Sequence, residues 1–279
     1  MTATLALQQA AAGPARRAKG SVTVQIGEIP IELRCADAPF CNEIEGRYAG
    51  FLSSSSHPEY CFDIHLEPLA EPSNEDTSVT RQGFRWRVQR GDFRAMWDMR
   101  TRNGWIRQSA NPYSLDTVLR IAHSLALAET GGLLMHAASA VWQGRAFLFA
   151  GISGAGKTTM TRLAPTDATV LTDEISYLRQ GSSGYCAHGT PFAGELARAG
   201  ANIAAPLSAI YLLEKGPANR IEAVEESAAI RALMRHVLFF AQDARLVKLV
   251  FESVVYLVSR ITVARLIFAP DKRVWNLIG

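Results

Sequence analysis

Apolar and polar residues alternate along most of the chain between Ser21 and about Ala110. This period of two predicts strands in "SVTVQIGEIPIELRC", which turns at Gly27-Glu28, and in "YCFDIHLEP". The segment "FRWRVQRGDFRAMWDMRTRNGWIRQ" predicts a meander with turns at residues 90–92 and at Asn103-Gly104. The polar segment "EPLAEPSNEDTSVTRQG", which contains two prolines, predicts a loop. We therefore expect a small β-rich N-terminal domain over residues 21–110.

From residue 111 onward, the spacing of apolar residues changes. The segment "SLDTVLRIAHSLALAET" predicts a helix with Ser114 as N-cap and Gly131 just after its end. "LLMHAASAVWQGRAFLFAG" predicts two strands joined at Gln143-Gly144. Further strands are predicted in "TVLTD", "ISYLRQ", "YCAHGT", "LSAIYLLEK" and "TVARLIFAP", and helices in "AVEESAAIRALMRHVLFF" and "ARLVKLVFESVVYLVSR". Residues 111–279 therefore predict an α/β domain, and the whole chain an α+β protein.

The composition excludes some classes of function but does not identify a single one. The chain has 279 residues, 48% hydrophobic and 20% charged, which is ordinary for a soluble globular protein. A net charge of +3 is too small to indicate nucleic-acid or membrane binding, so neither partner is expected. The four cysteines form no CxxC pair, which favours free thiols in a reducing, cytoplasmic compartment. The oligomeric state stays open, a homo-oligomer included.

Neither end of the chain predicts a membrane segment. The first 20 residues lack a continuous apolar core, so we expect a disordered tail over residues 1–20 rather than a signal peptide. Near the other end, four charged residues interrupt the apolar stretch from Leu246 to Phe268, so it does not predict a span.

The stretch from Gly151 to Thr158, "GISGAGKT", fits the pattern G-x-x-x-x-G-K-[ST] between a predicted strand and a predicted helix. Glycines in this context let backbone amides surround phosphate oxygens, and the lysine reaches the outer phosphates. The pattern predicts a phosphate-binding loop that holds ATP, with Mg²⁺ on the Thr158 hydroxyl. The candidate cofactor-binding residues are Gly151, Ser153, Gly154, Ala155, Gly156, Lys157, Thr158 and Thr159.

Two adjacent acids, Asp173 and Glu174, follow the apolar run at residues 168–171. One short helix after the loop is expected to return the chain to a neighbouring parallel strand, which must end beside the phosphates. One acid can then hold Mg²⁺ and the other can accept a proton from an attacking hydroxyl. The alternative is a pair that only caps a helix.

His136 is placed by the predicted hairpin. If Gln143-Gly144 form a two-residue loop, the numbers of opposed residues sum to 287, and His136 lies opposite Gly151. We expect a catalytic or site-shaping role at the edge of the site.

Three segments, "LLMHAASAVWQGRAFLFAGISGAGKTT", "VLTDEISYL" and "GTPFAGEL", resemble the catalytic domain of HPr kinase/phosphorylase and its diverged relatives. The resemblance covers about Leu133 to Leu213 and, more loosely, "FAPDKRVWNLI". It implies a P-loop core with a mixed sheet, similar in fold to phosphoenolpyruvate carboxykinases. The implied activity is ATP-dependent transfer of the γ-phosphoryl group to a serine or threonine of a peptide or protein.

The resemblance also implies roles for individual residues. Asp173 would be the base, with His136 and Lys157 as the other catalytic residues. Thr158 and Glu174 would hold the metal, although this family usually has Asp-Asp where the chain has Asp-Glu. HPr kinases carry serine where the chain has Thr158. "GELARAG" partly replaces the downstream signature of the family, which makes Glu195 and Arg198 further candidates. We therefore expect a peptide acceptor rather than HPr.

Two other classes of function stay open. A transporter or motor ATPase would need an LSGGQ-like signature and a distant second acidic motif, and the chain has neither. A nucleotide-binding switch or chaperone without phosphotransfer needs only the loop. The N-terminal domain is expected to pack beside the phosphate site and to offer strand edges to an extended acceptor.

Overall fold

A computed structural model describes residues 20–69 and 77–278 of the chain. The tail predicted over residues 1–20 therefore lies outside the described residues, apart from its last position. None of the helices in the described ranges has both the length and the apolar character needed to cross a membrane.

The first part of the chain forms a seven-stranded mixed sheet in the order β1-β2-β3-β7-β6-β5-β4. Its strands are β1 Ser21–Ile26, β2 Ile29–Cys35, β3 Tyr60–Leu66, β4 Ser78–Gln82, β5 Arg85–Arg90, β6 Phe93–Asp98 and β7 Asn103–Gln108. β3 runs parallel to both β2 and β7, and the other neighbours are antiparallel. The β-rich character predicted for this part is confirmed.

A helix that the apolar pattern did not indicate connects β2 to β3. This helix, α1, spans Ala38–Arg47, and the Asp37 side chain caps it by accepting a hydrogen bond from the Phe40 amide at 2.8 Å. A short 3₁₀ turn, Ala49–Phe51, follows.

The turn predicted at Asn103-Gly104 is wrong, because both residues lie inside β7. The chain turns instead at residues 99–102, where the Asp98 carboxylate accepts hydrogen bonds from two successive backbone amides. The glycine serves strand packing, because a Cβ at Gly104 would lie 2.6 Å from the Cβ of Trp97 on the neighbouring strand.

The predicted loop "EPLAEPSNEDTSVTRQG" is wrong in its last part. Its residues 78–82 form β4, which pairs antiparallel with β5 and buries Val79 between exposed neighbours. Alternation around this single apolar residue was too short a signal among polar residues. Residues 70–76 of the predicted loop lie outside the described ranges.

Helix α2 spans Pro112–Glu129 and connects the two parts of the chain. Its N-cap is Asn111, whose side chain accepts a hydrogen bond from the Tyr113 amide at 3.0 Å, so the prediction of Ser114 as cap is wrong. Proline at the first helical position explains this earlier start. Ser114 is buried and donates to the Asp92 carboxylate at 2.6 Å. Gly131, with φ +75°, follows the helix as predicted.

The second part forms an eight-stranded mixed sheet, partly covered by three further helices. The strands are β8 Leu133–Trp142, β9 Arg145–Ala150, β10 Thr169–Thr172, β11 Ile175–Gly181, β12 Gly184–His188, β13 Ala204–Lys215, β14 Arg220–Ala223 and β15 Thr262–Phe268. The helices are α3 Lys157–Arg162, α4 Glu226–Met234 and α5 Ala244–Arg260, and a 3₁₀ helix spans Lys272–Leu277. β14 and the 3₁₀ helix were not predicted. With two mixed sheets and few helices, the protein is α+β, as expected from the sequence.

β8 organises the larger sheet around the candidate site. β9 pairs with one edge of β8, while β10 and β11 lie in line along the other edge. The prediction that the strand after α3 neighbours β9 is wrong, because β8 lies between them. On its other edge, β9 pairs in parallel with β13. Since β9 and β10 are both antiparallel to β8, they still point in the same direction.

The two sheets share one continuous hydrophobic core. It includes Phe62 and Trp86 of the smaller sheet, residues of α2, and Leu134 and Tyr177 of the larger sheet. The turn between β1 and β2 packs directly on β11, because Gly27 lies against the Tyr177 ring. The division into two domains therefore stays a prediction.

Candidate functional site

The hairpin of β8 and β9 has the register that the sequence predicted. Gln143 and Gly144 both have positive φ, 51° and 75°, and Ala137 pairs with Ala150, which gives the sum of 287. His136, one residue further along β8, pairs with Ile175 of β11 on the other edge. It therefore lies between the end of β9 and the start of β11.

A glycine-rich loop connects the end of β9 to the start of α3. Gly154 and Gly156 have φ of +76° and +109°, a region that favours glycine. Gly156 is also packed closely, because a Cβ there would lie 2.5 Å from the Phe268 ring. The Lys157 ammonium donates to the carbonyl oxygens of Gly151 at 3.0 Å and Ile152 at 3.4 Å. The lysine side chain thus bonds back to the first residues of its own loop, and its positive charge lies beside the loop backbone.

Asp173 and Glu174 occupy the two positions between β10 and β11 rather than the end of a strand. The backbone amides of Glu174 and Ile175 bond to the Thr172 hydroxyl oxygen at 3.1 and 3.0 Å. Since Thr172 takes these amides, the ladder with β8 is interrupted where the acids lie. The sequence thus places an acidic pair in the middle of an otherwise continuous edge.

The segment at residues 189–201 folds over the acidic pair. Asp173, only 4% exposed, accepts hydrogen bonds from the Gly194 amide at 3.0 Å and the Leu196 amide at 2.8 Å. A Cβ at Gly194 would lie 2.8 Å from the Glu174 Cβ and 2.9 Å from a carboxylate oxygen of Asp173. Glycine is therefore required for this close approach, and Asp173 holds the segment in place.

These elements enclose a cavity of about 540 Å³. It is lined by His136, Ser153, Gly154, Gly156, Lys157, Thr158, Thr159, Asp173, Glu174, Ala193, Gly194, Glu195 and Lys215. Most of the residues chosen from the sequence are therefore brought together. Gly151 and Ala155 belong to the loop but are not among the lining residues, since Gly151 packs against Leu213 and Ala155.

Arg198 does not join the other candidates. The chain turns at Ala197, which has φ +50°, and Arg198 lines a neighbouring cavity of about 410 Å³ that shares only Asp173 with the first. No described residue before 111 lines the larger cavity. The expected place of the N-terminal sheet beside the site, and its role in binding an acceptor, stay predictions.

Burial shifts the pKa values of three of the groups that line the larger cavity, Glu174, Lys157 and His136. It raises the pKa of Glu174. The charge of Arg120 opposes this increase, the charge of Asp173 adds to it, and the charge of Lys157 also opposes it. Burial lowers the pKa of Lys157, while Glu174 and Glu195 counteract it. Burial followed by the charges of Lys157 and Arg120 lowers the pKa of His136, so its imidazole is neutral at pH 7.

Three residues near the cavity were missed by sequence reasoning. The Arg120 guanidinium of α2 stacks over the Phe192 ring at 4.9 Å, and among the described residues its buried Nε has no hydrogen-bond partner. The His236 carbonyl accepts a hydrogen bond from the His136 amide at 2.7 Å. Lys215 ends β13, the parallel neighbour of β9, so the rule that such strands end at one edge could have indicated it.

The donor set suits some cations better than others. Among the residues at 20–69 and 77–278, no group of three His, Cys, Asp or Glu side chains is arranged to hold a metal ion. The cavity does offer carboxylate and hydroxyl oxygens from Asp173, Glu174 and Thr158. Hard cations that keep several waters, such as Mg²⁺, need only one or two protein carboxylates. The cavity thus combines a cationic, glycine-rich wall with an acidic one.

The fold and the cavity define the chain as a mixed α+β protein with one polar candidate site on its larger sheet. Residues 112–278, more than half of the chain, match the family model described as "SynChlorMet cassette protein ScmC". The chain belongs to this ScmC family. The matched range begins with α2 and contains every residue that lines the cavity. A search of curated proteins found no match.

Proposed function

We propose that the chain is an ATP-dependent kinase of the HPr-kinase-like type, with a P-loop core similar to that of phosphoenolpyruvate carboxykinases. It transfers the γ-phosphoryl group to a serine or threonine hydroxyl of a peptide or protein. One observation carries the proposal: the glycine-rich loop, His136 and the acidic pair line a single cavity. A loop that only stabilised the fold would not require two carboxylates in the same cavity as its lysine.

The nucleotide is the first ligand of the proposed site. Backbone amides of the loop and the Lys157 ammonium would hold the phosphates of ATP, as in other loops of this sequence pattern. Lys157 would exchange its bonds to the Gly151 and Ile152 carbonyls for bonds to phosphate oxygens. Its half-buried ammonium would then neutralise charge at the transferred group. Lys215 adds a second cation on the same wall.

Glu174 and the Thr158 hydroxyl would hold the magnesium ion that accompanies ATP. When bound, the ion would neutralise negative charge on the phosphates. Glu174 fits this role because it must be ionised to bind a cation. Burial raises the pKa of Glu174, so a cation bound beside it would stabilise the charged form.

Asp173 would act as the base. In the proposed step, the acceptor oxygen bonds to the γ-phosphorus while the bond from that phosphorus to the β–γ bridging oxygen breaks. ADP leaves, and the hydroxyl proton passes to Asp173. Each carboxylate oxygen already accepts one backbone amide but keeps a second lone pair. These amide bonds fix the direction of the carboxylate, and alignment contributes more than basicity to phosphoryl transfer.

His136 completes the proposed machinery as a neutral imidazole. A neutral ring donates one hydrogen bond and accepts another, so it can orient the transferred group or the acceptor without adding charge. Its backbone pairing to β11 and to His236 holds it in place between the two walls.

The proposal is tested by following the fate of the γ-phosphoryl group of labelled ATP. Purified protein is incubated with Mg²⁺-ATP and a library of serine- and threonine-containing peptides. Label on a peptide supports the kinase. Release of phosphate alone favours an ATPase of the transporter or motor class. ATP binding with neither transfer nor release favours the non-catalytic switch or chaperone. If ATP does not bind, the proposed nucleotide site is wrong.

A further inference from the structure

The outward face of the N-terminal sheet carries a concentration of arginines around one tryptophan. β5, β6 and β7 lie side by side, and Arg87, Arg94 and Arg107 are exposed on this face. Met96 and Trp105 are half-buried between them, directly opposite each other in register. We call these five residues the arginine face. Alternate residues of the same strands, such as Val88, are buried in the shared core.

The arginine face places like charges in direct opposition. Arg94 pairs with Arg107 across the antiparallel ladder of β6 and β7, an arrangement that destabilises a sheet. Arg107 is partly compensated, since it stacks over the Trp105 ring at 5.1 Å and lies 3.4 Å from the Glu67 carboxylate. Among the described residues, no carboxylate lies within 4 Å of Arg87 or Arg94. Within residues 20–69 and 77–278, these two guanidinium groups therefore have no acidic partner.

A shallow cavity of about 470 Å³ lies on this face. Its walls include Arg87, Arg94 and the Trp105 ring, with Ser78 and Gln89 as neutral donors beside them. Guanidinium groups bind carboxylates through two parallel hydrogen bonds, and an indole ring offers apolar area with one donor. The cavity therefore suits a ligand that carries both carboxylates and apolar side chains.

We propose that the arginine face binds an acidic polypeptide segment of a partner. Its carboxylates meet Arg87 and Arg94, and an apolar side chain rests on Trp105. The proposal does not depend on nucleotide chemistry, because no residue of this face lines the larger cavity.

A single-stranded nucleic acid is the other anion that aromatic and arginine residues bind on sheets. The charges that surround the arginine face argue against it. Asp63 lies directly opposite Trp105 on β3, Asp98 lies 3.6 Å from Arg85, and Glu67 stands beside Arg107. These acids would repel a continuous phosphodiester backbone, whereas a short peptide can place its carboxylates between them.

Fluorescence anisotropy of labelled probes on the full chain without nucleotide tests the proposal. The probes are a peptide in which glutamates alternate with leucines, its glutamine counterpart, and an oligouridylate. We expect binding of the glutamate peptide, weakening with added salt, and at least about tenfold weaker binding by the Arg87→Glu/Arg94→Glu variant. The Arg231→Glu/Lys272→Glu control changes net charge equally on exposed positions elsewhere and should stay within about twofold.

Several outcomes would overturn the proposal: equal affinity for the glutamate and glutamine peptides, no effect of the charge reversal, tighter binding of the oligouridylate, or no binding at all. Stability provides an independent check, because Arg94→Gln removes repulsion from Arg107 without removing any ion pair formed within the described part of the chain. It should leave the melting temperature unchanged or raise it. A clear decrease in the melting temperature would mean that Arg94 stabilises the fold, which would argue against a role in ligand binding.

Discussion

The Asp173 carboxylate accepts a hydrogen bond from the Gly194 backbone amide at 3.0 Å, which joins the acidic pair to the segment folded over it. The proposed base and the cover of the cavity are thus one structural unit. A change at either residue acts on both. This coupling decides which substitutions separate chemistry from folding.

Replacing Asp173 with asparagine keeps the shape of the side chain but turns one of its two oxygens into an amide nitrogen. The change removes the proton acceptor and also one of the two bonds to the Gly194 and Leu196 amides. We expect ATP affinity to change only a few-fold, while transfer falls by about 10²–10⁴. Kinetics of peptide phosphorylation and calorimetric ATP binding measure the two effects. The assignment fails if the variant transfers phosphate at the rate of the wild type. Weaker ATP affinity with an unchanged maximal rate of transfer would assign the metal role to Asp173.

Gly194→Ala disturbs the same unit while keeping both carboxylates. The new methyl group would meet the Glu174 Cβ at 2.8 Å, so the segment must move. Overpacking of this kind costs about 1–3 kcal/mol in the free energy of unfolding, which denaturant titration measures. We also expect slower transfer with an unchanged pH profile. A variant as stable and as active as the wild type would show that this contact is not needed.

Glu174 predicts a pH dependence. Its carboxyl has a pKa above the ordinary 4.5 because burial disfavours the charge, and the proposed metal role requires the charged form. Magnesium-dependent activity should therefore rise with pH through this raised pKa and fall as the group is protonated. Glu174→Gln should remove this acid limb and increase the Mg²⁺ concentration needed. An unchanged Mg²⁺ requirement in the variant would contradict the assignment.

His136 should remain neutral at pH 7, with a pKa below 6.5, because burial and the nearby Lys157 charge both oppose protonation. Nitrogen-15 NMR of the histidine rings measures this value. Lys157→Ala removes one of the two nearby charges, so the pKa of His136 should rise in that variant. Lys272→Ala serves as the control, because this exposed lysine of the 3₁₀ helix is not among the charges that shift the pKa of His136. A pKa that Lys157→Ala leaves unmoved would place the lysine too far away to share a ligand.

The sequence predicted the placement of candidate residues where local rules determine it. The Gln143-Gly144 turn sets the register of the hairpin, so the position of His136 beside the loop followed from counting. The pairing of β10 with β8 could not be predicted in this way. It depends on β13 pairing with the other edge of β9, and β13 is distant from both strands in the sequence. The Arg120–Phe192 stack was out of reach for the same reason.

The buried anchors of the site also escaped prediction. Nothing in "GTPFAGEL" indicates that the Gly194 and Leu196 amides bond to Asp173, since backbone donors carry no sequence signature. At Asn103-Gly104 the sequence carries a strong turn signal, but the structure has a strand there. Packing of Gly104 against Trp97 outweighs the local preference for a turn.

The most direct test of the central claim compares γ-phosphoryl transfer by the wild type and Lys157→Ala. Each protein receives labelled Mg²⁺-ATP with a peptide acceptor found in the library, and with the same peptide carrying alanine in place of its serine or threonine. We expect label on the hydroxyl-bearing peptide with the wild type only, and none on the alanine peptide. Equal labelling by Lys157→Ala, or a wild type that labels no acceptor while it binds ATP, would contradict it.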